Sequence, residues 1–282
     1  MATTLNEPDI ATAVDDEPTA PHWAVRLLAR YDSIVYGIIG LLVFLTIWWW
    51  LVASGNVDSQ YLSTPQDTVR AFFSGLADGT LAAEIWPSVQ RALIGFAIAL
   101  VAGITIGIFV GSLPLVQKFA EPVLLFFRNL SLLALLPVFV VFLGIGEASK
   151  VAIVAWACFW SIFITTVGAV RSVDRTLLNA ARTLGAGRVY IFTKVVLPAS
   201  IPGIFPGIRL AASNAFTALV AAELVGGAHG LGIYINNAAL RYQAPQMYAG
   251  ILALGLIGIF VNSILTVVQS RLTRWQRGLA IG

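Results

Sequence analysis

The chain has 282 residues, of which 58% are hydrophobic and 11% charged, with a net charge of +3 and a mean hydropathy of +0.85. A water-soluble domain carries about 25% charged residues, so this chain has too few polar side chains to cover a water-facing surface, and its apolar surface faces a bilayer. The basic residues form no stripe or groove, which excludes nucleic-acid binding, and the single cysteine, Cys158, excludes an intrachain disulfide and a cysteine-rich metal site.

Residues 1–20 carry Glu7, Asp9, Asp15, Asp16 and Glu17 with Pro8 and Pro18, the composition of a disordered acidic tail. A short lead-in, residues 21–33, precedes the first apolar run. A spanning helix needs about 20 mainly apolar residues, and six segments qualify. They are Ile34–Ala53, Ala92–Leu113, Phe119–Leu143, Val151–Val170, Ile204–Val225 and Tyr248–Val268. The first ends in Trp48-Trp49-Trp50, an interfacial aromatic belt. The expected fold is thus an all-α integral membrane protein of about six transmembrane helices, with the transmembrane domain over 34–275 and a short tail at 276–282.

Two connecting segments carry structure of their own. In 55–91, Thr64-Pro65-Gln66-Asp67 is a helix start with proline in the first turn. Val69, Phe72, Phe73 and Leu76 follow at helical spacing, predicting an amphipathic helix over about 65–77 on the outer membrane surface. The other segment, 171–203, is basic and apolar together, which suits a docking surface.

Of the 17 Lys and Arg, eleven fall on the side that holds both termini and the 171–203 loop. Four (Arg70, Arg91, Lys150 and Arg241) fall on the opposite side, and Arg128 and Arg209 lie within or at the ends of spans. The bias predicts both termini in the cytoplasm. The 171–203 loop reads as a helix over about 174–184, a turn at Gly185 and Gly187, and a second helix ending before Pro198. Such a bent pair forms a knob able to seat in a partner's cleft.

The loop resembles that of ABC importer permeases, whose cytoplasmic loop carries Glu-Ala-Ala, three residues, Gly, nine residues, then Ile-x-Leu-Pro. Here Asn179-Ala180-Ala181, Gly185 and Val195-Val196-Leu197-Pro198 keep these spacings, with Asn179 at the Glu position and Val195 at the Ile position. Arg128-Asn129-Leu130-Ser131-Leu132-Leu133-Ala134-Leu135-Leu136-Pro137, Gly144–Lys150, and Glu223-Leu224 with Gly230-Leu231-Gly232 are similar to the nitrate, sulfonate, taurine and bicarbonate branch. The likeness covers roughly residues 60–275. It implies a type I importer permease fold in a bacterial cytoplasmic membrane. It also implies two copies forming the pathway, two ATPase subunits and an extracytoplasmic substrate-binding protein. The coupling residues it implies are Asn179, Ala180, Ala181, Leu184, Gly185, Ala186, Gly187, Leu197 and Pro198. A small anion is the implied cargo.

No lysine fits a phosphate-cradling loop: Lys118, Lys150 and Lys194 are followed by Phe119, Val151 and Val195. The expectation is therefore a non-enzymatic chain without cofactor or metal, with ATP and magnesium held by partner subunits. Arg128 and Asn129 read as lying about ten residues into the third span, a depth that is costly unless they face a pathway, a partner or the bundle interior. With them, Trp156, Trp160, Asn214, Thr217 and Glu223 are candidate pathway residues. Structural pairing or snorkelling for Arg128, and lipid- or core-facing positions for the tryptophans, stay open. So does an ion-gradient-driven transporter, a class that uses paired broken helices and midplane carboxylates.

Overall fold

The computed structural model describes residues 22–55, 58 and 60–273, and side chains from residue 35 onward. Among these residues every regular element is a helix. The tails expected at 1–20 and 276–282 lie outside them. Helix α1, His22–Ala53, runs unbroken for 32 residues, so the lead-in is helical from His22. It forms a unit by itself, and its Val35–Ala53 stretch is long and apolar enough to cross a membrane.

The second unit begins at Val57. Helix α2, Pro65–Ala77, starts as the sequence predicts: the Thr64 hydroxyl accepts from the Asp67 amide at 3.1 Å and donates to its carboxylate at 2.7 Å. Phe72 packs beside Leu81, Leu231 and Ala253, while Val69 and Phe73 stay exposed.

Three helices make the core. Helix α3, Thr80–Ser112, begins 12 residues before the expected Ala92. Glu84, Ser88 and Arg91 interrupt the hydropathy but not the helix. Helix α6, Glu147–Arg171, lies between α3 and α9, Leu197–Leu224. The α3–α6 contact is a parallel ladder in steps of four residues. A Cβ placed on Gly95, Gly103, Gly107 or Gly111 would meet Val154, Ile162, Thr166 or Val170, and on Gly107 it would stand 2.7 Å from the Thr166 Cβ. Small residues here let two backbones approach closely enough to exclude lipid. Against the other face of α6, buried Ala211, Ala215, Ala218 and Ala222 of α9 do the same.

The expected third span is not one straight helix. It is α4, Pro114–Arg128, and α5, Leu132–Leu143, bent by 95°. At the bend the Asn129 side-chain amide donates to the Leu125 carbonyl at 2.7 Å, a local bond that competes with helix continuation, and Ser131 turns extended. Arg128 is consequently the last residue of α4, at the bend between the two helices.

The helix expected to stop before Pro198 does not stop. After α7, Arg175–Thr183, short α8, Arg188–Ile191, passes through a π turn, Phe192–Val196, into α9, giving one helical run over Arg188–Leu224. The Leu197 amide reaches back five residues to the Phe192 carbonyl, so the ladder has already shifted where Pro198 lacks a donor. Helices α10, Leu231–Leu240, and α11, Ala244–Leu272, complete the unit. Among the described residues five helices suit a crossing, Arg188–Leu224 counted as one, and the bent pair makes up to six.

The ladder predicts that Gly107→Val forces α3 from α6 and destabilises the detergent-solubilised protein by about 1–3 kcal/mol. Gly168→Val, where a Cβ meets nothing within 4 Å, is expected to stay within about 0.5 kcal/mol. Thermal unfolding of both variants is the check, and equal midpoints would count against the ladder.

Candidate functional site

At one end of the bundle, α7 and α8 build the predicted knob. Asp174 caps α7, its carboxylate accepting from the Thr176 amide at 2.7 Å, which holds that carboxyl below its usual range. After Thr183 the chain reverses at Gly185, whose φ of +78° is left-handed, and the Ala186 amide returns to the Ala181 carbonyl at 3.0 Å. Glycine is favoured there by backbone conformation, since a Cβ would meet nothing within 4 Å; Gly187, at φ −69°, has no such need. The reversal leaves Leu184 87% exposed and Val189 77% exposed, with Leu177 and Tyr190 also open. Asn179 and Ala180 are exposed beside them, Ala181 and Ala186 half-buried, and Leu197 and Pro198 half-buried where the helical run leaves the knob.

Between α4 and α6, with Val110 of α3 at its side, lies a cleft of about 150 Å³. It brings together Arg128 and Trp160, two of the candidate pathway residues, with Gln117, Glu121 and Phe163. Trp156 stands next to it, edge-on to Trp160 at 5.4 Å between ring centres and to Phe127 and Phe139 at 6.1 Å. The other candidates lie elsewhere. Asn129 is spent on the bend. Asn214 donates to the Ser161 hydroxyl at 3.0 Å and so ties α9 to α6. Thr217 sits on an exposed face of α9.

Glu223 is far from the cleft, at the opposite end of the bundle from the knob, and it is 0% exposed. Its carboxylate accepts from Arg91 Nη1 at 2.7 Å, the Ser88 hydroxyl at 2.6 Å and the Gly232 amide at 2.8 Å. Arg91, 5% exposed, also donates to Glu147, with contacts of 2.5 and 2.8 Å, and to the His229 carbonyl at 2.7 Å. Buried Lys150 also reaches Glu147, at 3.2 Å. The Ser88 hydroxyl takes the Leu231 amide at 2.8 Å, and Glu84 takes the Gly230 amide. Gly230, at φ +135°, stands so close to Glu223 that a Cβ would fall 2.3 Å from the carboxylate. The motif Gly230-Leu231-Gly232 is thus a seat for Glu223, and the arrangement knots α3, α6, α9 and the start of α10.

Sequence reasoning assigned Arg91 to the loop before the second span and missed this pair. The usable signal was helical spacing: Leu81, Ser88, Ala92, Gly95 and Ala99 recur at three, four or seven residues, placing Arg91 on the same helix. Among the described residues no His, Cys, Asp and Glu cluster is arranged to hold a metal.

A family model described as "Binding-protein-dependent transport system inner membrane component" matches residues 103–278. A Brucella abortus protein named "Probable ABC transporter permease protein" is 35% identical over 248 residues, covering 88% of this chain and 98% of that one. The taurine transport system permease protein TauC of Escherichia coli is 31% identical over 240 residues, 83% of this chain and 87% of its own. The nitrate import permease protein NrtB of Leptolyngbya laminosa is 29% identical over 238 residues, 83% and 85%. Among solved structures, an inward-facing MetNI methionine ABC transporter chain aligns with a TM-score of 0.59 at 19% identity, over 68% of this chain and 96% of that one, which is a likeness of fold.

Removing one partner of a buried pair strands the other, at a cost of about 3–5 kcal/mol. Glu223→Ala and Arg91→Met are each expected to lower the thermal midpoint steeply, and the two together to lower it by less than the two single losses summed. Thermal unfolding of the single and double variants is the check, and strict additivity would argue against a coupled pair.

Proposed function

The chain belongs to the binding-protein-dependent transport system inner membrane components, and from that premise we propose that it forms the pathway through which an ATP-driven importer moves a small anion such as a sulfonate, nitrate or carboxylate. It is a multi-pass permease subunit of the ABC importer class. The anion reading draws support from the relatives for taurine, nitrate and bicarbonate and from Arg128 lining the α4–α6 cleft.

The observation that carries the reading is the exposed knob. Leu184 and Val189, almost wholly open, crown the segment whose Asn179–Pro198 spacings resemble the family's coupling loop. An apolar tip rimmed by Arg182 and Arg188 fits a cleft in a soluble partner better than it fits water or lipid. In this reading each of two copies seats its knob in one ATPase subunit, which holds ATP and magnesium. A binding protein delivers the solute at the far end, with both termini on the knob's side, in the cytoplasm, as the distribution of basic residues favours.

The helical run Arg188–Leu224 gives the knob a lever. Closure of the ATPase pair displaces Leu184 and its neighbours. Because the run is continuous through the π turn, the displacement passes along α9 to Glu223, which grips Arg91 and the Gly230–Gly232 seat. Knob and knot are the two ends of one rod. Asn214 and the alanine face bind that rod to α6, a wall of the cleft, so tilting α9 shifts the pathway.

Leu184→Glu puts a carboxylate on the docking tip without touching the core. In vesicles holding the complete transporter, uptake is expected to fall at least about tenfold, the scale of burying one unpaired charge, while the variant still inserts. Wild-type uptake would remove the docking role, and so would ATP hydrolysis by the purified chain alone.

A further inference from the structure

The knob segment is strongly one-signed. Arg171, Arg175, Arg182, Arg188 and Lys194 are all exposed, against a single carboxylate, Asp174, which caps α7. Within the knob, α7 and the α8–π-turn segment flank a groove of about 560 Å³. Leu178, Ile191, Phe192 and Val196 give it an apolar floor, and Arg182 and Arg188 give it a cationic rim. A groove of this kind suits a chain segment that is apolar in its middle and acidic at its ends.

The residues that precede α1 have that pattern. Glu7, Asp9, Asp15, Asp16 and Glu17 are five of the 14 carboxylates in the whole chain. Ile10 and Val14 lie between Asp9 and Asp15, four residues apart, the spacing that shares one face of a helix. Ile10 stands twelve residues before His22, a reach of up to about 40 Å, or about four helix diameters. The distribution of basic residues favours the knob's side of the membrane for this segment. Resting on the importer reading above, we propose that the acidic segment Glu7–Glu17 docks in the Arg182–Arg188 groove of the knob and competes there with the ATPase subunit. Ile10 and Val14 lie over Leu178 and Phe192, and the flanking carboxylates lie against the two guanidiniums. A tethered segment meets its site at an effective concentration on the order of millimolar, so modest contacts fill the groove while the ATPase subunit is disengaged. The segment is a brake that the ATPase subunit displaces.

Disulfide crosslinking of the full-length chain tests the docking. The chain sits in nanodiscs of zwitterionic lipid, which offers the arginines no net charge, and no ATPase subunit is present. Val14→Cys is paired with Leu178→Cys in the groove or with Leu272→Cys, which lies beside the basic Arg271 at the end of α11; native Cys158 is buried. Crosslinking is expected about tenfold faster at Leu178 than at Leu272, the scale on which a tether concentrates a segment at its own site. Neutralising the five carboxylates with Glu7→Gln, Asp9→Asn, Asp15→Asn, Asp16→Asn and Glu17→Gln is expected to remove the difference. In the complete transporter the same neutralised chain is expected to hydrolyse ATP about threefold faster than wild type in about 20 mM salt, and to match it in about 0.5 M salt, where exposed charges are screened. Equal crosslinking at the two positions, or a preference for Leu178 that survives neutralisation, overturns the docking. Hydrolysis unchanged at low salt overturns the competition. The crosslinking needs no ATPase subunit, whereas uptake in the Leu184→Glu variant tests the importer reading, so either idea can fail while the other stands.

Discussion

A carboxylate with no exposed surface is stable only where donors converge on it, and Glu223 meets that condition by drawing three segments of the chain together. Arg91 and Ser88 come from α3, and the Gly232 amide from the start of α10. Arg91 in turn fixes Glu147, the first residue of α6, whose side chain is 64% exposed. One interaction at one end of the bundle thus ties the first residue of α6 and the last turn of α9 to Arg91 in the first half of α3. The glycines at 230 and 232 follow from it, since the carboxylate occupies the space that side chains would need.

The rest of the core carries no charge and is held by proximity. Glycines on α3 and alanines on α9 press against α6. In a bilayer, where lipid tails are as apolar as leucine, close packing of small residues supplies much of the association energy. This division of labour sets α9 between two different tasks. It begins beneath an exposed apolar knob and ends in a buried ion pair, and it has no break between them.

Much of this was legible in the sequence, because the signals were local. Thr64-Pro65-Gln66-Asp67 announces a capped helix, and the spacing of Asn179, Gly185 and Pro198 announces the knob. The bend in the third span was not legible. The few charged residues of Pro114–Leu143 leave hydropathy seeing one run, and the Asn129 side-chain bond that accompanies the break is invisible to it. The bend puts Arg128 at the end of α4, beside Trp160 in a cleft. Pro198 misled in the opposite sense, because the π turn absorbs a residue that ordinarily ends a helix. Arg91 was hidden because its partners, Glu147 and Glu223, are distant in sequence and a lone arginine beside polar neighbours reads as a loop.

In the proposed mechanism, motion at the knob reaches the Glu223 knot through one continuous helix. Hydrogen–deuterium exchange of the 225–232 segment, in the complete transporter with and without ATP trapped in its ATPase subunits, tests it directly. The amides of Gly230, Leu231 and Gly232 are held by Glu84, Ser88 and Glu223, so a shift of α9 has to change their exchange. The expected result is a changed exchange rate in this segment on trapping, erased when Leu184→Glu disengages the knob. Identical exchange in the open and trapped states would contradict it.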